Sequence, residues 1–337
     1  MTRLLFTVVL LTLLLGAQAR AQNMPPGVGI DQVYEQARDA MWWGDFEALE
    51  RMHALYQQPA QRLSSEGRST LAAVRRGLAS PVGPRLKAGD GYFKQVDDLT
   101  LQWAKDHPNS AVAHVLHAGA LRRHGLAHRG GEFASKVPEE AWREFKRYVD
   151  AAIAYLLRHE RVAFQASVAY VELIELGRLA GWGLPQLWAV ASRGLAAFPH
   201  DEGMMSAMVT AVVPRWGGDD AVLDRMINDL VKPTREAHGE IYYARLYALA
   251  GAEEYGAALF KESRVDWRRM KAGYLQLVER HPAAVNLNEF AYHACMARDK
   301  PALRDLLVRV GPKPLTTSWG VNGLRTFESC KRFAAEL

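Results

Sequence analysis

The 337-residue chain carries almost no strand signal. It has no well-bounded alternating run of β-branched residues and no Asn-Gly or Asp-Gly turn between two such runs, which excludes a hairpin-built sheet. The common catalytic signatures are missing as well: no Walker A loop, no G-x-G-x-x-G, no G-x-S-x-G elbow and no H-E-x-x-H. Charge of one sign is scarce. The formal net charge is +5 and the basic residues are dispersed, so no cluster supports nucleic-acid binding by counterion release. No apolar run reaches the ~20 residues of a membrane span, so no stable membrane anchor is expected. Cysteine is nearly absent, with Cys295 and Cys330 alone. An even count favours a disulfide in an oxidising compartment, formed across adjacent helices; two separate buried thiols are the alternative.

The N-terminus is the most informative segment present. Met1-Thr2-Arg3 is a short positive start, Leu4 to Leu15 is apolar except for Thr7 and Thr12, and Gly16 ends the run. Ala17-Gln18-Ala19 and Ala19-Arg20-Ala21 offer overlapping small-x-small cleavage sites. Residues 1–21 therefore read as a secretory signal peptide, and the absence of cysteine near the cleavage point excludes a lipoprotein anchor. The expected location is periplasmic or secreted. Losing Arg3 and Arg20 lowers the formal charge from +5 to +3. The composition of the rest, 49% hydrophobic and 23% charged, is that of a globular protein. Residues 22–337 are expected to form a single helical-repeat domain.

Helical periodicity runs through most of that domain. Ile30, Val33, Tyr34, Ala37, Ala40 and Met41 share a face, with Asp31 as the expected N-cap; Gly44 breaks the helix and Asp45 caps the next. Pro138 opens a long helix with Glu139 and Glu140 at its start and Arg158 and His159 at its end, both suited to the helix dipole. His107-Pro108, Phe198-Pro199 and His281-Pro282 each end one amphipathic helix and begin another, since proline disfavours helix in the preceding residue but suits the next first turn. This punctuation predicts an all-α fold, an irregular tetratricopeptide-like α-solenoid of stacked antiparallel helical hairpins. Pro81 to Gly91 is expected to be a surface excursion, and Gly311-Pro312-Lys313-Pro314 to precede a C-terminal helix around Phe327 to Leu337.

Several local strings carry potential chemistry. His114, His117, Leu121, His124 and His128 form a helical stripe if the helix survives Gly125. Two imidazoles at i, i+3 suit Zn²⁺ or Cu²⁺, but the apolar neighbours favour core histidines, so no metal is assigned. Pro214-Arg215-Trp216-Gly217-Gly218-Asp219 reads as a helix stop that leaves an indole and a guanidinium at a loop tip. Tyr242, Tyr243 and Tyr247 with Trp267 make an aromatic-rich stretch, more consistent with core than with a binding face. Glu262-Ser263 matches the Glu-Ser of lytic transglycosylases, but their glycine-rich downstream motif is missing and Arg264 to Trp267 does not resemble it.

An ordered set of strings resembles the bacterial family catalogued as domain of unknown function 4034. It comprises Arg129-Gly130-Gly131-Glu132-Phe133-Ala134-Ser135-Lys136-Val137 with Trp142 and Phe145, then Pro214 to Gly218, Asp266-Trp267, Asn288 with Phe290-Ala291, Ala294-Cys295, Asp299, Trp319 and Cys330. The resemblance implies a tetratricopeptide-like helical fold. It implies no activity, since that family has none assigned.

The function expected from fold and missing motifs is an exported, non-enzymatic interaction module for a peptide or partner protein, without a cofactor. Its candidate contacts are Arg129, Arg215, Trp216, Tyr243 and Trp267, supplying bidentate hydrogen bonds and rigid aromatic area. The alternatives are a cell-wall glycan or peptide hydrolase whose carboxylates converge only in space, and metal handling by His114 and His117.

Overall fold

The computed structural model describes residues 27–80 and 89–336. The expected signal peptide, residues 1–21, and most of the expected Pro81 to Gly91 excursion lie outside the described residues. Helices follow one another along the chain: α1 (Ile30–Trp43), α2 (Phe46–Gln57), α3 (Thr70–Ala79), α4 (Asp90–Asp106), α5 (Ala111–Arg129) and α6 (Glu139–Arg158). Next come α7 (Glu160–Ala163), α8 (Ser167–Leu179), α9 (Leu184–Ala197), α10 (Glu202–Val212), α11 (Asp220–Val231) and α12 (Arg235–His238). The last six are α13 (Ile241–Ala250), α14 (Leu259–Glu262), α15 (Trp267–Arg280), α16 (Ala284–Met296), α17 (Lys300–Val310) and α18 (Leu324–Ala335). Among the described residues there is no β-strand, only one isolated bridge between Leu63 and Ser69. The all-α, solenoid-like stack of hairpins agrees with the sequence reading.

The three proline joints share one geometry. His107, Phe198 and His281 close their helices at φ/ψ of −122°/65°, −130°/75° and −135°/79°. These are the non-helical conformations that a following proline favours. Downstream, Ser110 and Asp201 cap α5 and α10 by accepting from the amides of Ala113 and Met204. Gly44 ends α1 in the left-handed region and Asp45 caps α2, as expected. Asp31 is not the N-cap of α1; Gly29 holds that place and Asp31 sits in the first turn. Gly125 does not end α5, which runs on to Arg129.

The hairpins pair α4 with α5, α6 with α8, α9 with α10, α11 with α13, α15 with α16 and α17 with α18. The first member of each pair is apolar on one face. The second members α5, α8, α10, α13 and α16 are buried on nearly every side. They form an inner layer in which α5 meets α8, α8 meets α10 and α10 meets α13. Leu156, Ile174, Met204 and Tyr247 are fully buried between the layers, each contributing about 1.5–3 kcal/mol by removal from water. Gly273 lets α15 approach α13, because a Cβ there would overlap the Glu240 carbonyl.

Cys295 and Cys330 form a disulfide. It joins α16 to α18, which are separated along the chain by α17 and pack against each other in space.

The inner layer does not enclose an open hollow. The turn at 62–69, between α2 and α3, is seated against the inner helices of the C-terminal half. Arg245 of α13 donates to the carbonyls of Gly67 at 2.6 Å and Glu66 at 3.0 Å. Asn286 of α16 also donates to the Glu66 carbonyl. The same turn fixes the start of α1, whose Ile30 amide donates to Glu66. The continuous groove that a helical-hairpin stack suggests is thereby occupied by the chain's own backbone.

Candidate functional site

Inward positions of the inner layer carry charge where the surrounding helix is apolar. Glu172 and Glu175 of α8 meet Arg122 of α5 and Arg75 of α3. Arg122 lies 2.5 Å from Glu172 and 2.8 Å from Glu175, and Arg75 lies 2.8 Å from Glu175. Burial would push the Glu175 carboxyl up, but Arg75 and Arg122 outweigh it and hold it below the usual range. Arg123, buried beside Arg122, is drawn down to about 10. This network packs the N-terminal half and leaves little space around it.

The second charged set surrounds the seated turn. Arg68 donates to both oxygens of Glu289 at 2.6 and 2.8 Å, and Arg245 lies 2.9 Å from Glu202. Two cavities flank the turn. One, of about 250 Å³, is lined by Arg62, Ser69, His200, Glu202, His238 and Tyr242 among others. The other, of about 670 Å³, contains both Arg–Glu pairs. Its remaining wall includes Tyr292, His293, Met296 and Trp319, with Gly251, Ala252 and Ala257 opposite. Gly251–Tyr255 is a π-helical segment, a conformation found frequently at functional sites. The size and the mixture of apolar wall with few converging polar groups match a ligand pocket. His293 Nδ1 lies 2.8 Å from the Glu289 carbonyl and 2.9 Å from the Tyr274 hydroxyl. Burial pulls this imidazole down to about 4 and pushes the Tyr274 phenol well above its ordinary value. A neutral imidazole therefore lines the cavity at neutral pH.

The five residues expected to contact a partner do not converge on that cavity. Arg129 stacks on Trp142 at 5.4 Å and donates to the carbonyls of Gly130 and Glu132, pinning the loop after α5. Arg215 is half exposed and pairs with Glu254 at 3.3 Å. Trp216, 48% exposed, lies under Arg178 at 4.2 Å. Tyr243 is 1% exposed and belongs to the core, with Arg269 over its ring and its hydroxyl accepting from the Asp266 amide. Trp267 is partly buried and donates to Asp299 at 2.9 Å. Only Arg215 and Trp216 remain at the surface as a pair.

The histidine stripe resolves into separate environments. His114 contacts Tyr155 at 2.9 Å and the Pro108 carbonyl at 3.0 Å. His117 contacts Thr100 at 3.0 Å, and burial lowers it to about 4. Both are core histidines with hydrogen-bond partners of their own. His124 and His128 instead face Asp90 at the start of α4, at 2.8 and 3.3 Å. Hydrogen bonding from His124 and then Lys94 draws the Asp90 carboxyl down to about 2.

The charged residues of the larger cavity escaped motif-based reading because they are up to 221 positions apart, Arg68 to Glu289. A usable signal was present. Arg245 is the single charge in the otherwise uncharged run Ile241 to Ala250, and a charge in a buried helix needs a partner.

Comparisons with protein-family models, with curated proteins and with solved structures return no match.

Proposed function

We propose that this is an exported, non-enzymatic helical-repeat protein that binds a peptide or a segment of a partner protein in the 670 Å³ cavity beside the 62–69 turn. The observation carrying this reading is that two Arg–Glu pairs and an apolar wall face one space. The Arg–Glu pairs give the space a polar edge, while Tyr292 and Met296 offer area for an apolar side chain. The signal-like N-terminus and the disulfide support an oxidising location. The resemblance to domain of unknown function 4034 is compatible with this and adds no activity.

Glu202 and Glu289 in one cavity are what the hydrolase alternative requires. Each already accepts from a guanidinium, so neither is a free carboxyl placed for proton transfer, and the binding reading is preferred.

The test is titration of the purified chain with synthetic peptides carrying free ends, followed by tryptophan fluorescence. Ala252→Trp, at an exposed position in the cavity wall, should abolish the response while leaving the melting temperature unchanged. Equal responses from both proteins would remove the cavity as the binding site.

A further inference from the structure

We infer that Asp90, His124 and His128 form a binding site for one divalent transition ion of the zinc type, distinct from the cavity above. The three offer one ligand atom each, all within 4.8 Å of one another, and no other such group occurs among the described residues. Two imidazoles and a carboxylate are the borderline-soft donor set that zinc prefers. His124 and His128 are spaced i, i+4 on α5, which places both rings on one helix face, as in zinc-binding helices.

Three further observations point to an ion rather than to a surface ion pair. First, His124 is held between two carboxylates, with Nδ1 2.6 Å from Asp97 and Nε2 2.8 Å from Asp90. With an ion on Nε2, the Asp97–His124 contact becomes the carboxylate–histidine–metal relay that orients metal-bound imidazoles. Second, His128 Nε2 is buried and makes no hydrogen bond, although it lies 3.3 Å from Asp90 Oδ1. Third, the rings are fixed before any ion arrives. His124 stacks on Tyr148 at 3.9 Å and on His128 at 5.1 Å, and Phe93 covers its other side at 5.3 Å. Gly125 makes this possible, because a Cβ there would come within 3.0 Å of Tyr148 Cβ and 3.1 Å of the Phe145 carbonyl.

Zinc bonds of about 2.0–2.1 Å in a tetrahedron put ligand atoms roughly 3.3 Å apart. The two Asp90 spacings of 2.8 and 3.3 Å are near that value, and the ligand atoms of the two imidazoles lie within 4.8 Å of each other. Lys94 holds the other Asp90 oxygen at 2.9 Å, leaving Oδ1 as a single ligand atom. Three protein ligands leave a position open to water.

The test is metal binding by the full chain, stripped with chelator and titrated with Zn²⁺ and with Co²⁺ as a spectroscopic probe. One equivalent of Zn²⁺ should bind, and Co²⁺ should give the visible bands of a low-coordinate nitrogen–oxygen site. His128→Ala and Asp90→Asn, both at solvent-accessible positions, should weaken binding at least 10-fold with unchanged circular dichroism. Lys94→Ala should tighten binding by freeing the second Asp90 oxygen, a result that a purely structural role for Asp90 does not give. Absence of stoichiometric metal in the wild type, or equal affinity in the wild type and His128→Ala, would overturn the assignment.

Discussion

Arg68 reaches 221 residues along the chain to donate to both carboxylate oxygens of Glu289, at 2.6 and 2.8 Å. With Arg245 and Asn286 it clasps the turn at 62–69 to α13 and α16. Arg245 is the more buried anchor, 6% exposed, and its removal takes the guanidinium from Glu202 and from the Gly67 carbonyl, while Asn286 still donates to Glu66. Arg245→Ala should therefore lower unfolding free energy by about 3–5 kcal/mol. Arg68→Ala, at a site 32% exposed, should cost only about 1 kcal/mol. Urea unfolding followed by circular dichroism measures both, and equal small losses would show that the clasp contributes nothing.

Stability should fall in mild acid. Burial holds His53, His117 and His293 at about 4, below the ordinary 6.5. The unfolded chain then binds more protons between those values, so their contribution is complete above pH 6.5 and is lost as pH drops toward 4. Each accounts for up to about 3 kcal/mol over that window. Glu175, held low, adds a loss only below its ordinary 4.5. The urea midpoint is expected to fall steadily from pH 7 to pH 5, with a shallower slope in His53→Gln. A flat profile over that range would contradict the burial of these imidazoles.

The disulfide closes a loop between positions separated by 35 residues. Restricting the unfolded chain over that length is worth about 3–4 kcal/mol. The double variant Cys295→Ala with Cys330→Ala should melt several degrees lower, and the loss should centre on α16 to α18. Hydrogen exchange distinguishes a local loosening there from a uniform loss of protection.

Arg215 and Trp216 should be separable from Tyr243 by stability alone. Alanine at either of the first two changes an exposed contact and should alter unfolding free energy by less than about 1 kcal/mol. Tyr243→Ala removes a core ring that is 1% exposed and should cost about 3–5 kcal/mol. Comparable losses in all three variants would move the Pro214 to Gly218 string into the structural framework.

Much of the fold was legible because its causes are local. His107-Pro108, Phe198-Pro199 and His281-Pro282 each restrict the backbone within two residues, and the helix ends fall there. Asp45 as a cap, Gly44 as a stop and Pro138 as an opening also depend on neighbours alone. Gly125 was misleading, since its propensity to end a helix is overridden by the close passage of α6. The larger cavity was not legible, because Arg68, Glu202, Arg245 and Glu289 belong to four separate elements joined only by tertiary geometry. His124 and His128 were visible as part of a stripe, but Asp90 enters from another helix and no spacing rule links it to them.

In a linear array of repeats the end units have one neighbour each and fray before the middle does. Here the segment after α2 is bonded to α13 and α16, so the N-terminal unit gains a second partner far along the chain. The array is in effect circularised by a polar fastening rather than by a covalent one. Melting then cannot peel inward from the first unit; it must begin by releasing that fastening, and the two halves lose structure together.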